Sequence, residues 1–130
     1  MKIQRILPVA LLALGLGLGS AQAAVVQPYQ QAAFTAAQES KKPILIFVEA
    51  PWCPTCAKER PILASLYDTP AFKDLQVFTV DFDTSKPLLH DLNVRMQSTL
   101  IVYHGGKETA RATGVTDPEA IRKLLETSKT

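Results

Sequence analysis

The run "ILIFVEA", from Ile44 to Ala50, constrains the fold more than any other stretch of the chain. It is short, nearly continuous in apolar side chains and rich in branched residues. A strand with one wet face alternates apolar and polar residues, so this pattern predicts a strand buried on both faces. Such a strand needs helices above and below its sheet, and the flanking segments have the periodicity to supply them. "PYQQAAFTAAQESKK" (28–42) is alanine-rich, ends in lysines that suit a helix C-terminus, and is stopped by Pro43. "CAKERPILASLY" (56–67) places Ile62, Leu63 and Leu66 on one helical face, with Pro61 inside as an expected kink. "LQVFTVDFD" (75–83) reads as a second strand, and "PLLHDLN" (87–93) as a short helix stopped by a left-handed Asn93. "TLIVYHGGKETARATG" (99–114) is a hairpin turning at His104-Gly105-Gly106-Lys107. "TDPEAIRKLLETSK" (116–129) opens a last helix with Thr116 or Asp117 as N-cap, Pro118 in the first turn and Glu119 placed for a capping box. The expected order is helix, strand, helix, strand, helix, strand, strand, helix. That order gives an α/β fold: a central mixed β-sheet flanked by helices on both faces.

The first residues are expected to leave the protein. Met1 to Arg5 carry two positive charges, an uncharged apolar run follows from Ile6 to Gly19, and Ala21 and Ala23 occupy the small positions of a cleavage site. This is the layout of a secretory signal peptide, residues 1–23, ahead of one domain, residues 24–130. As a retained anchor the run is short of the roughly 20 residues a span needs, and it contains Pro8 and three glycines. The expected location is the periplasm, as a soluble protein. Lys2 and Arg5 go with the leader, so fourteen basic residues fall to twelve and match the twelve acidic ones. A balanced chain gives no charge-based case for nucleic acid or an anionic membrane as partner.

The two cysteines, Cys53 and Cys56, stand just beyond the expected central strand, where reactive groups of such sheets gather. A bond across two intervening residues removes almost no chain entropy, so a stabilising staple is excluded on magnitude. His90 and His104 lack the spacing that would complete a zinc site. A reactive couple remains. A cysteine at a helix start faces free backbone N–H groups and the positive end of the helix dipole, which favour thiolate. Cys53 is therefore assigned as nucleophile, and Cys56, one turn in, as the resolving thiol.

From about Tyr29 onward the sequence resembles the thioredoxin superfamily. The resemblance rests on "APWCPTC" after the apolar strand, Pro61 five residues beyond Cys56, "VDFD" ending the next strand, the Gly-Gly hairpin, and Gly114 before the last helix. It implies a thioredoxin-like fold and dithiol–disulfide exchange on substrate proteins, with no cofactor beyond the Cys53–Cys56 disulfide. For exported bacterial proteins of this type, it also implies a membrane-embedded thiol-electron transporter as reductant. A monomer is expected.

Three departures from the family pattern carry expectations of their own. Ser98 stands where the family has a cis-proline; a cis bond there would cost about 2.5–4 kcal/mol, so a trans bond is expected. Gln97, Ser98 and Thr99 are then candidates to shape the site and bind substrate. The missing proline also opens an alternative, a Cu(I)-handling protein with the metal on Cys53 and Cys56 and Met96 as a nearby thioether, although loop packing is the favoured reading of Met96. The family's buried aspartate falls at Phe47 and its lysine partner at Thr79, so Glu49 becomes the candidate proton acceptor for Cys56. Trp52 is expected to offer substrates an apolar wall, and Pro54 and Thr55 to shape the turn. Because Pro54-Thr55 lacks the ionisable imidazole of strongly oxidising relatives, reduction of substrates is favoured over disulfide donation.

Overall fold

The computed structural model describes Gly19 and residues 23–130; the expected leader and its cleavage site lie otherwise outside the described residues. Strand β2 (Pro43–Glu49) sits at the centre of a five-stranded sheet ordered β1-β3-β2-β4-β5. Its neighbours are β3 (Gln76–Asp81), which runs parallel, and β4 (Thr99–His104), which runs antiparallel. Ile44 to Val48 are all buried, and their alternation divides them between two cores. Leu45 and Phe47 pack with Leu63, Ile121 and Leu125 from helices α2 (Pro54–Tyr67) and α4 (Pro118–Glu126). Ile44, Ile46 and Val48 pack on the opposite face with Phe34 and Ala37 from α1 (Gln31–Glu39) and Leu89 from α3 (Lys86–Asp91). At about 1.5–3 kcal/mol for each buried branched side chain, the strand alone contributes a large part of the driving force. The expected mixed sheet with helices on both faces is the fold observed.

One element had no counterpart in the sequence reading. Strand β1 (Val25–Pro28) pairs parallel with β3 at the sheet edge, with Val25 opposite Gln76 and Pro28 opposite Thr79. It is four residues long, largely exposed and closed by a proline, which an edge position tolerates because its missing N–H leaves no gap inside the sheet. Helix α1 is also shorter than expected. It stops at Glu39, ahead of the lysines; Lys41 takes a left-handed φ of 53°, and Pro43 opens the strand instead of ending the helix.

The remaining boundaries follow local chemistry. Asn93, at φ 54°, ends α3 in the left-handed conformation, and the next residue's N–H returns to Leu89. Asp117, not Thr116, caps α4: its Oδ2 accepts from the Ala120 N–H at 2.8 Å. Glu119 then falls one position short of a capping box, and its carboxylate pairs with Arg122 instead. Strand β5 (Lys107–Thr113) returns from β4 through Gly105 and Gly106, with an irregularity at Val102/Tyr103.

Gly105 has φ 55°, and a Cβ there would lie 3.2 Å from the Gln38 carbonyl oxygen and 3.3 Å from the Lys41 Cα. Gly105→Ala is therefore expected to lose about 1–2 kcal/mol from the left-handed backbone alone. Gly106→Ala, whose Cβ would meet nothing within 4 Å, is expected to be nearly neutral. Urea denaturation of both variants separates the two; equal losses would contradict this account of the turn.

Candidate functional site

The chain leaves β2 through Ala50, Pro51 and Trp52 and enters α2 with Cys53 as its N-cap. The helix starts two residues earlier than the sequence suggested, because Pro54, with its fixed φ and missing N–H, suits a first helical position. Cys53 Sγ does the work of a capping oxygen and accepts from the Cys56 N–H at 3.0 Å. The two cysteines form a disulfide with their Cα atoms 5.3 Å apart. Cys56 is fully buried and Cys53 retains 1% exposure.

Trp52 is the large exposed side chain beside the pair, 55% accessible. Its indole Nε1 donates to Asp83 Oδ2 at 2.7 Å, fixing the ring over the end of β3. Asp83 is itself held in a turn in which Asp81 Oδ1 accepts from the Asp83 and Thr84 N–H groups at 2.8 and 3.0 Å. Those bonds, the Thr84 one foremost, hold the Asp81 carboxyl below its ordinary range. The "VDFD" segment therefore orients the tryptophan, a role the sequence reading did not give it. Pro54 is exposed and Thr55 half-buried.

The loop before β4 carries the trans bond expected at Ser98, in an unusual backbone conformation. Among the described residues no peptide bond is cis, and Ser98 adopts φ 60°, a strained conformation for a side chain with a Cβ. Its carbonyl is anchored by the Gly114 N–H at 2.8 Å. Ser98 is only 3% exposed, so its hydroxyl is turned inward and cannot reach out to a bound peptide. The Thr99 hydroxyl is also occupied, donating to the Met96 carbonyl at 2.8 Å and lying 2.9 Å from Thr113 Oγ1. Gln97, half-buried, and the exposed Met96 remain on the outer side of the loop.

Phe47 and Thr79 are register partners on β2 and β3, with Phe47 almost fully buried. Apolar packing occupies that position. Glu49, at the end of β2, is no free carboxylate: its Oε2 accepts from Arg60 Nε at 2.7 Å, and Arg60 Nη2 also donates to the Ala50 carbonyl at 3.0 Å. This arginine fastens the end of the strand to helix α2.

A residue that sequence reasoning passed over lies inside. Glu59 is fully buried, and neither of its carboxyl oxygens has a hydrogen-bond partner among the described residues. The Ser98 hydroxyl faces it without closing a bond of full geometry. Burial pushes the Glu59 carboxyl above its usual range; Ser98 and Arg60 oppose this and the Glu49 charge adds to it. A signal existed: Cys56, Glu59 and Leu63 are spaced as one helical stripe, so a carboxylate occupied an otherwise apolar face.

Protonated Glu59 suits this site and ionised Glu59 does not. Its contribution to stability is complete below the ordinary glutamate pKa and is lost as pH rises through the raised value of the folded protein. Glu59→Gln is accordingly expected to match the parent in acid and to exceed it increasingly as pH rises. Urea denaturation across a pH series measures this, and a gap that closes with rising pH would refute it.

The Thioredoxin family model matches residues 25–127. Among curated proteins, the H-type thioredoxin of Brassica oleracea is 33% identical over 96 residues, covering 72% of this chain and 75% of that protein. A thioredoxin of Chlamydia trachomatis is 30% identical over 82 residues, covering 63% of this chain and 78% of the relative. Among solved structures, Trxlp from Edwardsiella tarda superposes with a TM-score of 0.75 at 47% identity, covering 77% of this chain and 97% of that one. Sheet order, a disulfide at the N-terminus of α2 and the family match agree, and the chain belongs to the thioredoxin family, its Cys53–Cys56 pair being the redox centre of a thiol–disulfide oxidoreductase.

Proposed function

We propose that this protein is exported to the periplasm and there reduces disulfides in substrate proteins, drawing its electrons from a membrane-embedded thiol transporter. The observation that carries the reading is the Cys56 N–H aimed at Cys53 Sγ from 3.0 Å at the start of a 14-residue helix. In the dithiol state the same N–H and the helix dipole stabilise a thiolate on Cys53. Pro54-Thr55 adds no ionisable group, so the stabilisation is moderate, which suits a donor of electrons. The export half of the reading rests on the charged start, apolar run and small-residue site of residues 1–23.

The exchange runs in two displacements. The Cys53 thiolate attacks one sulfur of a substrate disulfide, a mixed disulfide forms, and the first substrate thiolate leaves. Cys56 then loses its proton and attacks Cys53 Sγ; the Cys53–Cys56 bond forms and the second substrate thiolate leaves. Two electrons pass to the substrate, and a dithiol of the transporter restores the pair by the reverse sequence. Trp52, held by Asp83, lines the approach with apolar surface, and Gln97 and Met96 border the loop opposite. The protein acts as a monomer in this scheme.

Insulin reduction is expected to vanish in Cys53→Ser, while Cys56→Ser accumulates a mixed disulfide that mass spectrometry detects. The reduction potential of the pair, equilibrated with thiol buffers, is expected near or below about −220 mV. A value near about −120 mV would reverse the direction and make the protein a disulfide donor. Export is expected to leave a periplasmic chain beginning at Ala24; a cytoplasmic, uncleaved product would overturn that part.

A further inference from the structure

We propose that Glu59 is the proton acceptor that activates Cys56, a buried acid carried by helix α2 because the sheet has none at Phe47. The inference rests on the dithiol exchange proposed above and deepens its second displacement. Cys56 and Glu59 are three residues apart on one helix, both with no solvent exposure. At that spacing Cβ atoms lie about 5–6 Å apart, and a helical side chain leans over the turn N-terminal to its own Cα. That spacing sets Glu59 beside Cys56 on the buried face of α2, the face that also meets Ser98.

A fully buried carboxylate without a partner is costly, and such a group usually marks a role that packing alone does not explain. The groups around it define what it can do. Arg60 and Tyr67 share its helix, Glu49 approaches from β2 and Ser98 from the loop before β4. From α4 the packing side chains, Ile121 and Leu125, are apolar. Arg60 is committed to Glu49 and to the Ala50 carbonyl, and the Tyr67 phenol is pushed up by burial and by both glutamates, so it holds its proton. Glu59 is the carboxyl left free to exchange one. In the step itself, the Cys56 S–H bond breaks and its proton forms an O–H bond on Glu59. The Cys56 thiolate then displaces the leaving thiolate from Cys53, which takes its proton from water, and Glu59 returns its own to solvent as the pair cycles.

A reaction that ignores biological substrates tests this. The reduced domain is mixed with excess 5,5′-dithiobis(2-nitrobenzoate); attack by Cys53 releases one coloured thiolate, and attack by Cys56 on the resulting mixed disulfide releases the second. In the parent the second rate is expected to rise with pH through the raised Glu59 ionisation. In Glu59→Gln the first release persists, while the second falls on the order of a hundredfold, the scale of a lost general base. It should recover only as pH passes the ordinary cysteine range, near 8.5. Glu59→Asp, which keeps a carboxyl, is expected to recover part of the rate and the inflection. An unchanged second release and pH profile in Glu59→Gln would overturn the assignment. A slowed second release in Glu49→Gln with Glu59→Gln spared would overturn it in favour of the strand-end carboxylate. Should the variants fail to fold, carbon NMR of the wild-type Glu59 carboxyl decides: its titration must move between disulfide and dithiol forms, and indifference to redox state would sink the proposal. Because the probe accepts electrons from any reactive dithiol, a chain that cycles with it but not with insulin would count against the proposed substrates, not against Glu59.

Discussion

The structure is organised around a strand with no solvent face. Ile44 to Val48 are shared between two cores, so neither layer of helices can be removed without exposing half of β2. That requirement fixes the sheet at the middle of the molecule. It also brings the carboxyl end of β2 to the rim, where the chain must turn sharply into α2. The redox pair occupies that turn, directly beyond the buried strand. Cys53 can act as an N-cap because strand and helix are each held by their own core contacts.

Much of this was legible because each signal was local. The continuous run at 44–50, the Asn93 stop and the Gly-Gly turn depend on backbone chemistry within a few residues, and the structure has them where expected. Strand β1 was not legible. Val25 and Val26 gain their structure from pairing with β3, fifty residues away, and no periodicity within four residues announces that. Helix α1 ends earlier than its composition suggests for a related reason. Lysine tolerates a helix end, but the turn at Lys41 is imposed by the hairpin, since the Lys42 carbonyl receives the Gly105 N–H at 3.1 Å.

The site divides the same way. Cys53, Cys56 and Trp52 were apparent from type and spacing, whereas the surroundings of Ser98, Glu49 and Glu59 depend on which element lies across from them. Glu49 is a free carboxylate in the sequence and an ion-paired one in the fold, because Arg60, eleven residues on, comes round on the helix. Ser98, left-handed like Lys41 and Asn93 but buried, and Glu59, without a hydrogen-bond partner among the described residues, both depart from local rules. They face each other beside the disulfide helix, and locally inconsistent residues gather at functional sites in this manner.

The outer strands bear on how a partner can approach. Strand β1 is four residues long and closes on Pro28, while β5 carries Lys107, Glu108 and Arg111 along the other margin. Short, proline-ended or charged margins are poor templates for an incoming β-strand. A polypeptide seeking this protein therefore finds little backbone to zip onto at either side. What the molecule offers is one end: the indole of Trp52, the all but buried Cys53 beside it and the outer rim of the Met96–Gln97 loop. In the proposed exchange a substrate disulfide therefore meets the protein end-on at this small patch, not along either margin of the sheet.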